Sequence, residues 1–194
     1  PPNWACAPDN SQCVPLAPAV GSPNGSAVWD RVFARDISKL RPGRANYAIA
    51  CYPDGGIMMD GVLMRLAEDR FYMVSAGVLE RHDWDCLTKA LVTDGKVRLR
   101  KVTSQYGVLV VAGPDARNLL QKLTDSDLSN PVFPWLSGQR MNIGGAEAHA
   151  IRVNFVGELG WELHHPIETQ NYIFDSLFEA GEEFDLKPFG IRAM

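Results

Sequence analysis

Apolar side chains begin to recur with a definite period only from about Ala27. Residues 1–26 contain Pro1, Pro2, Pro8, Pro15, Pro18 and Pro23 among Gly, Ser and Asn, which reads as an extended or disordered lead-in. The stretch RDISKLRPGR (35–44) is a polar connection whose Pro-Gly pair favours a turn. ANYAIACY (45–52) then reads as a strand. Pro53, Asp54, Gly55 and Gly56 form a tight turn, and a second strand runs from about Ile57 to Leu66. FYMVSA (71–76) returns as a third, so three strands come in meander order. Trp84, Leu87 and Leu91 recur at helical spacing within 80–92, and KVRLRKV (96–102) alternates like a strand with Arg98 and Arg100 on its solvated side. The pattern repeats in the second half. A buried strand at 107–112 is followed by a helix opened by Gly113-Pro114, with Ala116, Leu119, Leu120 and Leu123 on one face. A loop over 125–138 leads to strands near 139–143, 146–154 and 160–164, joined in part by a Gly144-Gly145 hairpin turn. A last helix, 168–181, turns Ile173, Leu177 and Ala180 inward. The order predicts an α+β fold of mixed, mainly antiparallel sheets with flanking helices, in two similar halves of about 27–104 and 105–194.

Composition narrows the function classes. The chain has 194 residues, 46% hydrophobic and 22% charged, which is ordinary for a packed globular domain. Its net charge of -4 offers no broad field to attract nucleic acid. The longest apolar runs fall well short of the roughly 20 residues that span a bilayer, and no signal segment opens the chain, so no membrane association and a cytoplasmic location are expected. Cys6, Cys13, Cys51 and Cys86 form no C-x-x-C pair and read as reduced thiols. His164 and His165, adjacent on a strand, face opposite sides, and His82 and His149 stand alone, so no metal site is indicated. The methionines Met58, Met59 and Met64 read as core filling.

Two carboxylates stand out. In YPDGGIMMDGVL (52–63), Asp60 sits among glycines and large apolar residues, and alternation places it on a face with Met58, away from Ile57 and Met59. It is either a solvated group where the hairpin emerges or a carboxylate in a pocket. Gly55, Gly56 and Gly61, lacking a Cβ, admit the close approach of a ligand or of another backbone. In NFVGELGWELHHP (154–166), Glu158 lies between two glycines with Trp161 close behind. Such a carboxylate can present parallel acceptors to the N–H edge of a pterin or purine, with the aromatic as a wall. The plainer reading is a glycine turn with an exposed Glu and a core Trp. The phosphate-binding glycine motifs are absent, which disfavours a nucleotide-dependent enzyme.

Taken together, PGRANYAIACYPDGGIMMD, RLAEDRFYMVSAGVLERHD, GVLVVAGPDARNLLQKL, VGELGWELHHP and PFGIRAM resemble, in that order, the folate-binding domain of the glycine-cleavage aminomethyltransferase (T-protein) family. The likeness covers about residues 35–194 and is strongest to the version fused behind the flavin domain of dimethylglycine and sarcosine dehydrogenases. It implies tetrahydrofolate as cofactor and transfer of a one-carbon unit from an amine such as dimethylglycine, sarcosine or an aminomethyl-lipoyl carrier. FAD would belong only to a partner domain outside this chain. It implies that Asp60 is the catalytic acidic residue near the reactive folate nitrogens, that Glu158 holds the pterin ring, that Tyr72 and Trp161 line the pocket, and that Arg192 lies near the folate. It also implies a mitochondrial matrix location if the source is eukaryotic. The lead-in and the end at Met194 depart from the family pattern, so a truncated member is expected, either catalytic as part of a longer protein or a non-catalytic binding or assembly module.

Overall fold

The computed structural model describes residues 4–6, 14–17, 25–91 and 97–190. The chain divides into two compact units, one of residues 11–103 and one of residues 1–10 with 104–194. β1 (Trp4–Cys6) belongs to the second unit, so the chain enters it, builds the first and returns.

The unit of residues 11–103 holds β2 (Val14–Ala17), α1 (Gly25–Val32), β3 (Ala45–Cys51), β4 (Ile57–Ala67), β5 (Arg70–Ser75), α2 (Glu80–Ala90) and β6 (Arg100–Lys101). Its sheet runs β3-β4-β5-β2-β6 with every pairing antiparallel. Strand alternation sends Ala48 and Ala50 from β3, Met59 and Leu63 from β4, and Phe71 and Met73 from β5 into one core. Trp29, Phe33, Ile37 and Leu87 cover them, with Trp29 stacked on Phe33 at 5.6 Å and set edge-on to Phe71 at 6.0 Å. Met59 and Met64 are buried, as expected of filler residues. The strand expected over 96–102 is shorter: Val97 to Leu99 are irregular, and only Arg100–Lys101 pair with β2, at the sheet's edge, while residues 92–96 lie outside the described residues.

Gly61 shows why that position excludes a side chain. A Cβ there would lie 2.3 Å from the carbonyl oxygen of Val74 on β5, so the bare Cα serves a second backbone. Gly61→Ala is expected to lower stability by about 2 kcal/mol, because the strand pair must part to admit the methyl. Urea unfolding checks this, and an unchanged midpoint would refute it.

The second unit adds β7 (Tyr106–Ala112), α3 (Ala116–Gln121), β8 (Gly138–Ile143), β9 (Ala146–Ile151), β10 (Gly160–Pro166), α4 (Gln170–Gly181) and β11 (Lys187–Phe189). The sheet order is β11-β1-β7-β10-β9-β8; β1 and β11 are parallel and the rest antiparallel. Leu109, Val111, Trp161 and Leu163 point to one face and pack with Leu119 and Leu120 of α3 and Ile173 and Leu177 of α4. Gly144 and Gly145, at φ 58 and 100, turn β8 into β9 in the left-handed conformation that the two-residue hairpin requires. No helix among the described residues is long and apolar enough to cross a membrane.

Candidate functional site

In the unit of residues 11–103 the hairpin turn positions Asp60. Tyr52 N–H donates to Gly56 O at 2.7 Å, Gly55 N–H donates to Tyr52 O at 2.9 Å, and Asp54 Oδ1 accepts from Gly56 N–H at 3.0 Å. Gly55 sits at φ 88, which a side chain rarely tolerates. The register puts Ile49 opposite Asp60 and Tyr47 opposite Val62. β5 pairs with β4 only as far as Ser75 opposite Gly61, so Asp60 stands one residue beyond that pairing. Asp60 is exposed, and its carboxylate makes no ion pair among the described residues. The face it shares is apolar: Tyr47 and Ile49 are 44% and 39% exposed beside it, and Val62 is half-buried. Tyr72 lies on this face too, buried and opposite Met64, four residues along β4 from Asp60. At strand rise that is about 13 Å away, so the structure does not set the two side by side.

In the unit containing residues 104–194 the second candidate is a turn braced by an amide. Asn154 is buried; its side-chain amide donates to Glu158 O at 2.8 Å, and its Oδ1 accepts from Val156 N–H at 2.8 Å. Gly157 takes φ 78, and Gly160 fits between the Val111 carbonyl and the Asn154 amide, where a Cβ would stand 2.6 and 2.7 Å from them. The Glu158 side chain is exposed at the tip of this turn. Trp161 is placed elsewhere: it is fully buried, edge-on to Phe133 at 6.0 Å, with the guanidinium groups of Arg117 and Arg152 over its ring at 5.7 and 5.6 Å. It braces the core behind the turn, as the plainer reading of the sequence had it. The aromatic ring that the turn leaves open is Phe155, 84% exposed.

A further carboxylate, Glu162, lies in the same motif and is not marked out by the sequence pattern. Its side chain is only 12% exposed and lies 3.2 Å from His164 Nε2 on the sheet face turned away from α3 and α4. His149 stands opposite His164 on β9 and receives the Arg140 Nε–H at 3.3 Å. Burial, reinforced by the Arg140 charge, holds the His149 pKa below the usual imidazole range. His165 is on the other face, its Nδ1–H donating to Pro166 O at 3.0 Å, and burial lowers its pKa as well. Asn154 and Glu162 both lay within the quoted motif. An Asn four residues before a glycine-flanked Glu is the available signal for an amide-braced turn, but alternation alone could not show that Glu162 is enclosed.

Arg192 lies outside the described residues. Among the described residues no three of His, Cys, Asp and Glu gather as a metal site, and Cys51 and Cys86 are free thiols.

Comparison with known proteins gives the relationships. The GCVT N-terminal domain family matches residues 19–194. The chain is 34% identical over 172 residues to the sarcosine oxidase subunit alpha of Rhizobium meliloti (strain 1021), covering 85% of this chain and 17% of that one. It is also 34% identical over 166 residues to the mitochondrial dimethylglycine dehydrogenase of Homo sapiens, covering 85% of this chain and 19% of that protein. The chain thus spans under a fifth of the length of these relatives. The glycine cleavage system aminomethyltransferase T from Bartonella henselae superposes with a TM-score of 0.81 at 21% identity, over 98% of this chain and 48% of that one, which establishes a shared fold.

Proposed function

The chain belongs to the GCVT N-terminal domain family, that of the glycine-cleavage aminomethyltransferases, and on that premise we propose that it is the tetrahydrofolate-binding part of a one-carbon transferase. One observation carries the reading. Asp60 is an exposed carboxylate with no ion pair among the described residues, set on a sheet face whose neighbouring members, Ile49, Tyr47 and Val62, are apolar or aromatic. A lone carboxylate beside apolar surface suits a ligand that is flat and largely apolar yet becomes cationic at one point.

Bound tetrahydrofolate would supply a nitrogen of its reduced pterin ring and the neighbouring bridge nitrogen as nucleophiles for a carbon at the oxidation level of formaldehyde. Asp60 would face the amine or iminium nitrogen that carries positive charge as the carbon is passed on, and its attraction is strongest where that charge is greatest. Ile49 and Tyr47 would exclude water from that contact and so strengthen it. Taken by itself, the unit containing residues 104–194 offers Glu158 and Glu162, acceptor-only groups suited to the N–H edge of a pterin, and the exposed ring of Phe155 as a stacking face. Arg192 is the candidate for pairing with a carboxylate of a folate, and Tyr72, buried on the Asp60 side of its own sheet, would support that apolar face from further along the strand. The donor is an amine of the dimethylglycine, sarcosine or aminomethyl-lipoyl carrier type, and its oxidation by FAD would belong to another domain or subunit.

Anaerobic calorimetric titration with tetrahydrofolate tests this. Saturable one-to-one binding is expected. A folded chain giving no saturable heat up to about 1 mM ligand would overturn the reading in favour of an assembly module without folate chemistry.

A further inference from the structure

The connection at residues 35–44 has no part in the folate reading, yet it builds a cavity of its own. A concavity of about 470 Å³ is lined by Arg35, Asp36, Lys39, Arg41, Arg44 and Asn46, together with the buried Leu40 and Ala45. Four cations and one carboxylate surround it, in a chain whose net charge is -4. Basic side chains on a surface ordinarily spread into water to reduce their mutual repulsion. Here a single twelve-residue stretch turns them around one hollow.

The loop is fixed from behind, so the convergence is built in. Ile37 and Leu40 are buried, and Ile37 N–H donates to Asp30 Oδ1 at the end of α1. Gly43, at φ 77, completes the turn, its N–H donating to Arg65 O at 2.8 Å while Arg65 N–H donates to Arg44 O at 2.9 Å. The Arg65 guanidinium ties the same loop from below: Nη1–H donates to Leu40 O at 2.7 Å, and the plane rests on Phe71 at 5.3 Å. The one acidic residue is already engaged. Asp36 accepts from Ser38 N–H at 3.1 Å and pairs with Lys39 at 2.8 Å, and these contacts, Lys39 first, hold its carboxyl below the usual carboxylate range. With its amide turned to satisfy both atoms, Asn46 accepts the Arg35 Nε–H at 3.3 Å, which fixes the direction of that guanidinium.

We propose that this cavity is an anion site for a small polyanion with two or more adjacent oxyanion groups, either a diphosphate or a short run of carboxylates. Arginine forks match both geometries, since each guanidinium can give two parallel N–H bonds to one phosphate or carboxylate. The site is separate from Asp60. Asn46 and Asp60 point to opposite faces of the sheet, and the residue opposite Asp60 lies three positions further along β3.

The test titrates the 194-residue chain at low ionic strength with inorganic pyrophosphate, with triglutamate and with acetate. Saturable binding of pyrophosphate, of triglutamate or of both is expected, against none for acetate, and the affinity should fall as salt is added. Binding of pyrophosphate alone assigns phosphate esters, and of triglutamate alone a carboxylate chain. The double variant Arg35→Ser/Arg41→Ser, both exposed positions, should bind at least about tenfold more weakly with an unchanged circular dichroism spectrum and thermal midpoint. Lys89→Ser/Lys187→Ser removes the same charge elsewhere and should bind as the parent does. No binding of either polyanion at about 5 mM, or equal losses in the two double variants, would overturn the proposal.

Discussion

Asp60→Asn is expected to slow one-carbon transfer to tetrahydrofolate about a hundredfold, or about 2.7 kcal/mol, with folate affinity changed no more than several-fold. The substitution keeps size and hydrogen-bonding capacity but removes the charge. If Asp60 acts on a cation that is fullest in the transition state, the loss falls on the rate and spares ground-state binding. The position makes this a clean test. Asp60 is exposed, so its carboxylate holds no core together, and an exposed substitution of this kind should move stability by no more than about 0.5 kcal/mol. Ile49 on the facing strand stays in place, so the apolar surroundings are unchanged. Single-turnover transfer in a full-length protein containing this chain is the measurement. Wild-type rates in the Asn variant would remove the electrostatic role assigned to Asp60, whatever became of folate binding.

Where the chain repeats a strong local signal, its fold is legible. Pro53 to Gly56 and Gly144-Gly145 each sit between alternating runs, and both are hairpin turns with the positive φ values their glycines allow. The two meanders follow from those turns. β1 and β2 were not legible, because strands of three and four residues contain too little alternation to register against a proline-rich background. What makes them strands is pairing with distant partners, β7 and β11 for one and β5 and β6 for the other. The same limit shortened the strand expected over 96–102: an edge strand has one neighbour to hold it, and alternation does not report how far that neighbour extends.

The site residues divide along similar lines. The face Asp60 occupies could be read from alternation, whereas its exposure could not. Gly61 was open to either a ligand or a backbone, and the Val74 carbonyl takes the space. Trp161 and Phe155 flank the same turn, and only packing tells which ring is covered: Arg117, Arg152 and Phe133 enclose the first and leave the second bare. The order of five weak motifs carried more than any one residue, because family members share the spacing that the fold imposes and not the identity of each side chain.

Glu162→Gln is expected to weaken tetrahydrofolate binding about a hundredfold, and Glu158→Gln only about threefold. The contrast follows from enclosure. Glu158 sits exposed on the turn that Asn154 holds, where water competes for each hydrogen bond and a charge adds little. Glu162 is 12% exposed and held beside His164, so a bond from its carboxylate to a ligand N–H would form in a poorly hydrated place with its direction already set. Glutamine retains one acceptor there but turns an NH2 group towards a donor edge, leaving two donors facing one another. Since Glu162→Gln also removes the partner of a fully buried histidine, thermal unfolding without ligand must accompany the titration. A folded variant with lost affinity identifies Glu162 as a ligand contact, and a loss matched by a lowered midpoint marks it as structural. Should Glu158→Gln show the larger loss in affinity, recognition belongs to the open turn, and Glu162 serves only to hold His164.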